Sequence, residues 1–288
     1  MKNRPEREGI LLCYPVDEGR LKRLGEQFFL QPKYKGDRMH VEWFHNQPIF
    51  ISSYGNEFPY LDHLKEPISR IGKDFANAPF DGEIYRHGWG QERINAALRT
   101  SKVKHPDNEF LQFHIFDIAV PKIDQTARLG FLLQLAREGY FSSELILTET
   151  ILTNQKDWLG IANSWVEEGY EGAVLRKPSM MWRAKRDVGI LKFKPTETDE
   201  YKIVAINEAI DKYGTPKGMV GSFDVTPLDH FQVFSVSAGK MKHNRRREVW
   251  NNRQLFIGAT LIVKHEKDTT AYGVPVCAVA VEIKEKIS

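Results

Sequence analysis

The sequence predicts a two-domain α+β protein, in which a large domain of antiparallel sheets with helices is followed by a small β-barrel. The chain of 288 residues is long enough for one large and one small hydrophobic core. Strand-like and helical segments are mixed along residues 1–196, whereas residues 197–288 carry a series of short strand-like runs. We therefore expect a domain boundary near residue 196.

The first domain is expected to open with a short helix within residues 15–30, because Leu21, Leu24 and Phe28 lie at helical spacing. Residues 39–51 alternate apolar and polar side chains around a turn at 46–48, which predicts a hairpin. The other predicted strands are 80–85, 110–120, 172–175 and 189–193, and the other predicted helices are 91–99, 125–137 and 155–168.

The second domain follows a polar stretch, residues 196–200, that we interpret as a hinge. Its predicted strands are 201–206, 222–226, 231–236, 260–264 and 276–283. Five short strands in so few residues favour a small barrel, and the oligonucleotide-binding (OB) fold is the common barrel of this size.

Composition excludes several classes of protein. Apolar residues make up 41% and charged residues 27% of the chain, with a formal net charge of +3, as expected of a globular protein. The two cysteines, Cys13 and Cys277, are far apart in sequence, which argues against a disulfide framework and favours a reducing cytosol. Neither a membrane-spanning run nor a secretory signal is evident, so we expect a cytoplasmic protein without a membrane partner.

The most informative segment is residues 31–38, which contain Lys33. A lysine amine attacks phosphorus once it loses its proton, and burial or neighbouring positive charge favours the neutral amine. Lys35 and Arg38 supply such charge, and Gly36 is expected to let the backbone approach a phosphate. The pattern points to nucleotide chemistry, although a simple basic turn has the same composition.

Two further segments suit a nucleotide site. Glu83, within the triplet 81–83, follows a predicted strand and offers a carboxylate to a ribose hydroxyl or a divalent metal, although a hairpin turn explains the triplet equally well. Alternation along the next strand separates Phe116 from Phe113 and Ile115. An aromatic ring exposed in a cleft stacks on a base at about 1–3 kcal/mol, although a lone phenylalanine is more often core.

Charged residues also mark the last two strands of the first domain. Glu171 stands at the entrance of a buried strand, as a metal ligand or as a solvated loop residue. Alternation sends Lys192 and Lys194 to one face of a strand, where like charges are unfavourable unless an anion lies between them. A triphosphate would satisfy that face, and two solvated lysines on an edge strand are the alternative.

A basic loop is predicted at residues 240–247 in the second domain. Its cationic residues are Lys240, Lys242, Arg245, Arg246 and Arg247. Such a cluster neutralises several phosphates of a nucleic acid backbone, and its position on the predicted barrel favours DNA or RNA contact over a merely solvated face.

Together these segments resemble the covalent nucleotidyltransferase superfamily, most closely the small two-domain ATP-dependent DNA ligases of phages and bacteria. The resemblance runs from about residue 28 to the end of the chain. Five segments stand in the order of that family: 33–38, 81–83, 113–117, 171–172 and 191–194. The implied architecture is a nucleotidyltransferase (adenylation) domain over residues 1–196 and a DNA-binding OB-fold domain over residues 197–288.

The resemblance implies a three-step reaction that uses ATP and Mg²⁺. Lys33 would attack the α-phosphorus of ATP and form lysyl-AMP, the AMP would pass to the 5′-phosphate of nicked duplex DNA, and the 3′-hydroxyl would then displace AMP. The implied roles are adenine contact by Gln31 and Phe116, ribose contact by Arg38 and Glu83, Mg²⁺ binding by Glu171 and Glu83, α-phosphate contact by Lys192 and Lys194, and a further nucleotide contact by Arg186. A monomer in a bacterial or phage-infected cytosol is expected.

The sequence departs from the family pattern at three places. Lys35 stands where an aspartate is usual, the segment 52–55 lacks its arginine, and Lys284 stands where an arginine is expected. An ATP-dependent RNA ligase is the nearest alternative, because its nucleophile segment tolerates such variation. A capping guanylyltransferase and a non-catalytic nucleic-acid-binding OB protein are more distant alternatives.

Overall fold

The structure, a computed structural model, describes residues 9–75, 77–99, 103–229, 231–239, 241–266 and 273–284. The chain divides into two compact units, residues 1–194 and residues 195–288. Each unit encloses a hydrophobic core of its own. Among the described helices, none is long and apolar enough to cross a membrane.

The first unit mixes strands and helices along the chain. Its strands are β1 (Leu12–Pro15), β2 (Gln27–Lys33), β3 (Asp37–Phe44), β4 (Gln47–Ser52), β5 (Phe80–Tyr85), β6 (Gln112–Ile118), β7 (Leu145–Leu147), β8 (Ile151–Asn154), β9 (Gly172–Arg176) and β10 (Arg186–Phe193). Its helices are α1 (Glu18–Leu24), α2 (Asp62–Asp74), α3 (Gln91–Leu98), α4 (Gln125–Arg137) and α5 (Trp158–Glu167), with a 3₁₀ helix at Pro106–Phe110.

These strands form two five-stranded sheets, in the orders β1-β10-β9-β2-β8 and β4-β3-β5-β6-β7. Pairing is antiparallel except between β1 and β10 and between β6 and β7. In the first sheet, Lys33 of β2 lies opposite Gly172 of β9, and Phe193 of β10 lies opposite Ala173. This register brings the charged ends of three neighbouring strands to one edge of the sheet.

Alternation in β2 explains why this strand is held firmly. Phe28 and Leu30 are fully buried and belong to one hydrophobic cluster with Trp158 and Trp165 of α5. Burying an apolar side chain of this size contributes roughly 1.5–3 kcal/mol, so the strand that carries Lys33 is anchored along its length.

The second unit is a closed five-stranded barrel in the order β11-β12-β13-β15-β14. Its elements are β11 (Thr196–Ile210), β12 (Pro216–Thr226), β13 (Phe234–Ser237), α6 (His243–Asn251), α7 (Arg253–Phe256), β14 (Thr260–Glu266) and β15 (Val279–Lys284). Strand β13 pairs with β15 in parallel, and the other pairs are antiparallel. Five strands closed in this way resemble the OB barrel, which confirms the predicted α+β fold class.

Four local predictions differ from the structure. The first helix ends at Leu24, and Phe28 belongs to β2, because Gly25 (φ 100°) breaks the helix. The hairpin turns at His45 and Asn46, both with positive φ, so the strand β4 already begins at Gln47. The two remaining differences are in the second unit.

The polar stretch 196–200, predicted as a hinge, is the first part of β11 and pairs with β14. Its side chains are exposed, so the apolar alternation that marks a strand is missing there. The segment 240–247, predicted as a loop, contains the start of α6 from His243 onward. Lysine and arginine are good helix formers, but without an apolar stripe the helix is not visible in the sequence.

Candidate active site

Lys33 is the last residue of β2. It lies at the edge of the sheet where β2 and β10 end and the antiparallel strand β9 begins. The turn that follows depends on Gly36, because a Cβ at this position would collide with the carbonyl oxygen of Ile84 in β5. A side chain at this position would therefore displace the backbone of β5, which explains the need for glycine in this turn. Approach of this backbone to a phosphate stays a prediction.

Glu171 lies between two lysines. One carboxylate oxygen accepts from Lys33 Nζ and the other pairs with Lys194 Nζ. The Glu171 side chain is only 13% exposed. Burial disfavours its ionised form, but Lys33 and Lys194 more than offset this and hold the pKa of Glu171 below its usual value.

Lys192 lies near the end of β10, two positions before Lys194, and its ammonium group has no ion-pair or hydrogen-bond partner among the described residues. It is half-buried, and its pKa is lowered first by burial and then by Lys194 and Lys33. Three cations therefore share this edge with one carboxylate, Glu171. The excess positive charge suits an anion with several negative oxygens.

A second carboxylate, Glu83 of β5, is placed near Lys33 from the other sheet. Its strand position is directly opposite Arg38 of β3. Burial raises the pKa of Glu83 to about 7, against the attraction of Lys33 and Arg38. Arg38 itself is held by Asp81, which accepts from Nε at 2.9 Å and from Nη2 at 2.5 Å.

Phe116 is positioned by a bulge in β6. Asp117 pairs with Asp81 and Ile115 with Gly82, so Phe116 is the extra residue between them. Its ring lies between two guanidinium groups, 5.5 Å from that of Arg38 and 5.1 Å from that of Arg176, measured to the ring centroid. The bulge aims this ring out of the core that Ile115 joins.

Gln31 is buried at 2% exposure and connects the two sheets. Its amide nitrogen donates to the Phe116 carbonyl oxygen at 3.2 Å and to Thr150 Oγ1 at 3.0 Å. Its amide oxygen accepts from Arg176 Nε at 2.7 Å. Gln31 therefore fixes the backbone of Phe116 and the guanidinium that lies over its ring.

Behind this ring is a buried ionic cluster that sequence reasoning missed. Asp117 accepts from Arg176 Nη1 at 2.7 Å and from Arg128 Nε at 2.7 Å, and all three side chains are at most 3% exposed. Gln125 accepts from both guanidinium groups. A charged residue within an apolar strand was the available signal, because such a residue must find a buried partner.

Arg186 stands apart from the lysines. Arg186 begins β10 opposite Leu12, whereas Lys192 lies opposite Pro15. These two partners are three positions apart along β1, which corresponds to about 10 Å. The Arg186 guanidinium donates to the Cys13 carbonyl oxygen and lies 5.4 Å from the Tyr14 ring centroid.

The described members of the predicted basic loop differ in their surroundings. Lys242 and Arg247 are exposed, whereas Arg245 pairs with Glu248 at 2.5 Å and Arg246 Nε donates to the Val220 carbonyl oxygen at 2.6 Å. Lys240 lies outside the described residues. Lys284, which stands where the family pattern has an arginine, pairs with Glu200 of β11.

Two of these groups could contribute to a metal site. Glu83 and Glu171 are near enough to influence each other's ionisation, and carboxylate oxygens are the ligands that Mg²⁺ prefers. Within the part of the chain that is described, no cluster of three or more candidate ligands is present. A cation here would therefore also need oxygens from a bound phosphate.

Comparison of the sequence with family models and with curated proteins gave no match. Solved structures are similar. A structure described as "Pmar-Lig_PreS3" superposes with a TM-score of 0.80 at 20% identity, covering 95% of this chain and 67% of that chain. A structure from a study of Lig E DNA ligases gives 0.72 at 18% identity, covering 96% and 99% of the two chains. The ATP complex of the DNA ligase from bacteriophage T7 gives 0.57 at 16% identity, covering 96% and 98%.

A mixed first unit followed by a five-stranded barrel is the architecture that these superpositions match. The likeness extends over nearly the whole chain in each comparison. The fold is that of the ATP-dependent DNA ligases.

Proposed function

We propose that this protein is an ATP-dependent DNA ligase that seals nicks in duplex DNA. The observation that carries the proposal is the cluster at the end of β2, β9 and β10, where Lys33 and Lys194 both pair with Glu171 and Lys192 lies close enough to feel the charge of both lysines. The ligase fold supports the same reading. Phosphoryl transfer asks the protein mainly for positioning and charge neutralisation, and this cluster supplies both.

In the first step Lys33 Nζ loses its proton and attacks the α-phosphorus of ATP. A nitrogen–phosphorus bond forms, the bond to the bridging oxygen of the β-phosphate breaks, and pyrophosphate leaves. Lys192 and Lys194 stabilise the negative charge that builds on the α-phosphate oxygens. In the free protein Glu171 holds both Lys33 and Lys194, so an arriving phosphate takes over these contacts.

The adenosine would lie against Phe116, with Arg38 and Glu83 at the ribose. Arg176 backs the ring on one side, and Gln31 holds its backbone. A direct hydrogen bond from Gln31 to adenine requires Gln31 to exchange one of its present partners. We therefore assign to Gln31 the positioning of Phe116 first, and base contact second.

Glu171 and Glu83 would hold Mg²⁺, and the chemical type of these two groups fits that ion. When bound, the ion supplies charge neutralisation for the phosphate oxygens. The remaining steps join the nucleotide to the 5′-phosphate of a nick and then displace it with the 3′-hydroxyl. The second unit, through residues 240–247, would contact the DNA backbone, and a cytoplasmic monomer is proposed.

The test begins with the protein, labelled ATP and Mg²⁺. We expect one AMP on Lys33, identified by mass spectrometry of peptides. Lys33→Arg keeps the charge beside Glu171 but lacks a usable nucleophile, so it should fold normally and carry no AMP. Lys22→Ala, which removes an exposed lysine of α1, is the matched control and should be labelled normally. Labelling of Lys33→Arg would refute the assignment.

Nicked DNA and nicked RNA duplexes then separate the two ligase classes. We expect faster sealing of DNA. Preferential joining of RNA ends would favour the RNA ligase alternative, and attachment of GMP or use of NAD would refute ATP as the cofactor. For the second unit, Lys242→Ala with Arg247→Ala is a cleaner test of DNA contact than Arg246→Ala, because Arg246 bonds to the barrel.

A further inference from the structure

A cluster of four rings lies next to the candidate active site and takes no part in the proposed chemistry. Tyr34 is at its centre, buried at 6% exposure. The centroid of the Tyr34 ring is 4.6 Å from that of His114, 5.0 Å from that of Tyr85 and 5.7 Å from that of Tyr170. Tyr85 in turn lies 5.4 Å from His114 and 6.4 Å from Tyr170. We call Tyr34, Tyr85, His114 and Tyr170 the ring cluster.

The ring cluster joins the two sheets that carry the candidate site. Tyr34 directly follows β2, and Tyr170 comes two positions before β9, so both are continuous with strands of the first sheet. Tyr85 ends β5 and His114 lies within β6, both in the second sheet. Well-oriented aromatic pairs contribute about 0.5–1.5 kcal/mol beyond their buried area. Several such pairs together hold the two sheets at a set distance.

Two of the rings are sequence neighbours of the residues that would do the chemistry. Tyr34 follows Lys33, and Tyr170 precedes Glu171. The Glu171 amide donates to the Lys33 carbonyl oxygen at 2.9 Å, and the Lys33 ammonium donates to the Tyr34 carbonyl oxygen at 3.4 Å. Because the peptide unit is planar and stiff, a ring fixed in the core limits the position of the residue next to it. Displacement of either tyrosine would therefore also move Lys33 or Glu171.

The other two rings belong to the strands that would receive the nucleotide. Tyr85 lies two positions after Glu83 on β5, and His114 lies two positions before Phe116 on β6. Glu83 and His114 are opposite each other in the pairing of these strands. We call this part of the second sheet, with Glu83 and Phe116, the nucleotide wall. The ring cluster thus links the end of β2 that carries Lys33 with the nucleotide wall.

Proton transfer is an alternative role for these rings, and their surroundings argue against it. Burial lowers the pKa of His114 to about 4 and raises the pKa of Tyr85 to about 12. Burial raises the pKa of Tyr34 above its usual value as well. All three groups are therefore uncharged near neutral pH, and they neither accept nor release a proton readily. Packing is the role that these rings can fill.

We propose that Tyr34 and Tyr170 are positioning residues, whose rings hold Lys33 and Glu171 at the correct distance from the nucleotide wall. The inference rests on the proposed function, because it takes Lys33 as the nucleophile. Attack on phosphorus requires the two reacting atoms to be about 3–3.5 Å apart, and a displacement of about 1 Å costs roughly 100-fold in rate. Loss of the ring contacts should therefore reduce the rate of AMP attachment much more than the affinity for ATP.

The test compares Tyr34→Leu and Tyr170→Leu with Tyr34→Phe, which keeps the ring. Phe75→Leu is the matched control, because Phe75 makes two edge-to-face contacts in the same core, at 5.6 Å with Phe131 and at 5.4 Å with Tyr140. Single turnovers of the full-length protein give the rate constant of AMP attachment at saturating ATP and the ATP concentration for half-saturation. Thermal unfolding checks that each variant is folded.

We expect Tyr34→Leu to lower the rate constant about 100-fold while the ATP concentration for half-saturation scarcely changes. Tyr170→Leu should change the rate constant in the same direction. Tyr34→Phe and Phe75→Leu should stay close to the wild type, because both keep the rings beside Lys33 and Glu171.

Competitive acetylation gives a second measurement that does not need ATP. Lys33 is held by Glu171 in the free protein, so it should react more slowly than the exposed Lys22. Tyr34→Leu should increase the ratio of Lys33 to Lys22 acetylation, measured by mass spectrometry of peptides. Phe75→Leu should leave this ratio unchanged.

Rate constants for Tyr34→Leu and Tyr170→Leu no lower than that of Phe75→Leu would overturn the proposal. A Tyr34→Phe variant as slow as Tyr34→Leu would also overturn it, and so would a change limited to half-saturation. If Tyr34→Leu does not fold, Tyr170→Leu decides the question, since Tyr170 is only half-buried. If the wild type attaches no AMP, the ligase assignment fails, and the acetylation ratio alone decides whether the rings position Lys33.

Discussion

Replacing Asp117 tests how the candidate base-binding wall is held in place. Asp117→Ala removes the carboxylate that, among the described residues, forms ion pairs with both Arg128 and Arg176, and it leaves two guanidinium groups buried side by side. Unpairing one buried charge costs about 3–5 kcal/mol. Because two are left here, we expect a loss at the upper end, about 5 kcal/mol, from a total that for a typical protein is about 5–15 kcal/mol.

Tryptophan fluorescence during urea unfolding is a suitable measurement, because five of the six tryptophans lie before residue 195 and report on the first unit. With a slope of about 2–3 kcal/mol per M, the midpoint should fall by roughly 2 M. Asp107→Ala is the matched control, since it breaks an exposed aspartate–arginine pair with Arg93 at 2.6 Å. Its midpoint should scarcely move.

Asp117→Asn separates charge from shape. The amide keeps the size of the carboxylate but must turn a donor towards a guanidinium, so a smaller but clear loss is expected. In the same variants, AMP attachment should weaken because Arg176 no longer supports Phe116. A midpoint shift for Asp117→Ala no larger than that of Asp107→Ala would refute the view that this cluster holds the wall.

Three further predictions concern the lysine cluster and its neighbours. Glu83, with a pKa raised to about 7 against about 4.3 in an unfolded chain, retains a proton on folding between these values, so its own contribution to stability should fall as pH rises from about 4.5 to 7. Burial lowers the pKa of His114 to about 4, so the contribution of His114 rises with pH over much of the same range. Glu83→Gln should therefore make the slope of stability against pH more positive in this range, and an unchanged slope would contradict the origin given. Lys192→Met removes an unpaired, half-buried cation, so the thermal midpoint should rise or stay the same. Without this positive charge beside the α-phosphate, AMP attachment should slow at least about 100-fold. A large drop in the midpoint would argue against this view of Lys192. Gly172→Ala should destabilise the first unit by several kcal/mol in urea unfolding, since its Cβ would collide with the Phe193 carbonyl oxygen, whereas Gly130→Ala on the open face of α4 should not.

The sequence allows many of the strands and the lysine cluster to be predicted, because both depend on local patterns. The strands β1, β2, β7 and β8 and the helix α2 were not predicted. Lys192 and Lys194 are two positions apart at the end of β10, the spacing that places side chains on one face. Glu171 reaches Lys194 because it directly precedes the neighbouring strand β9. The predicted extent of the first helix was wrong, because Phe28, which belongs to β2, continues the helical spacing of Leu24. Gly25 between them was the stronger signal.

Features that depend on distant pairing could not be predicted. The bulge at Phe116 arises from the register of β5 against β6, which one strand alone does not reveal. The partners of Arg176 come from β2, β6 and α4, up to 145 positions away in the chain. The exposed first part of β11 carries no apolar alternation, so only its pairing with β14 identifies it as a strand.

The pairing of Glu171 with Lys33 and Lys194 has a consequence for selectivity. Because Lys33 and Lys194 already have an internal counterion, they gain little from a chloride or sulfate ion. A ligand that displaces Glu171 must offer enough oxygens to pair with both lysines at once. The displaced carboxylate then needs another cation as its partner. The ion pairs of Glu171 therefore select for polyanionic ligands before any covalent bond forms.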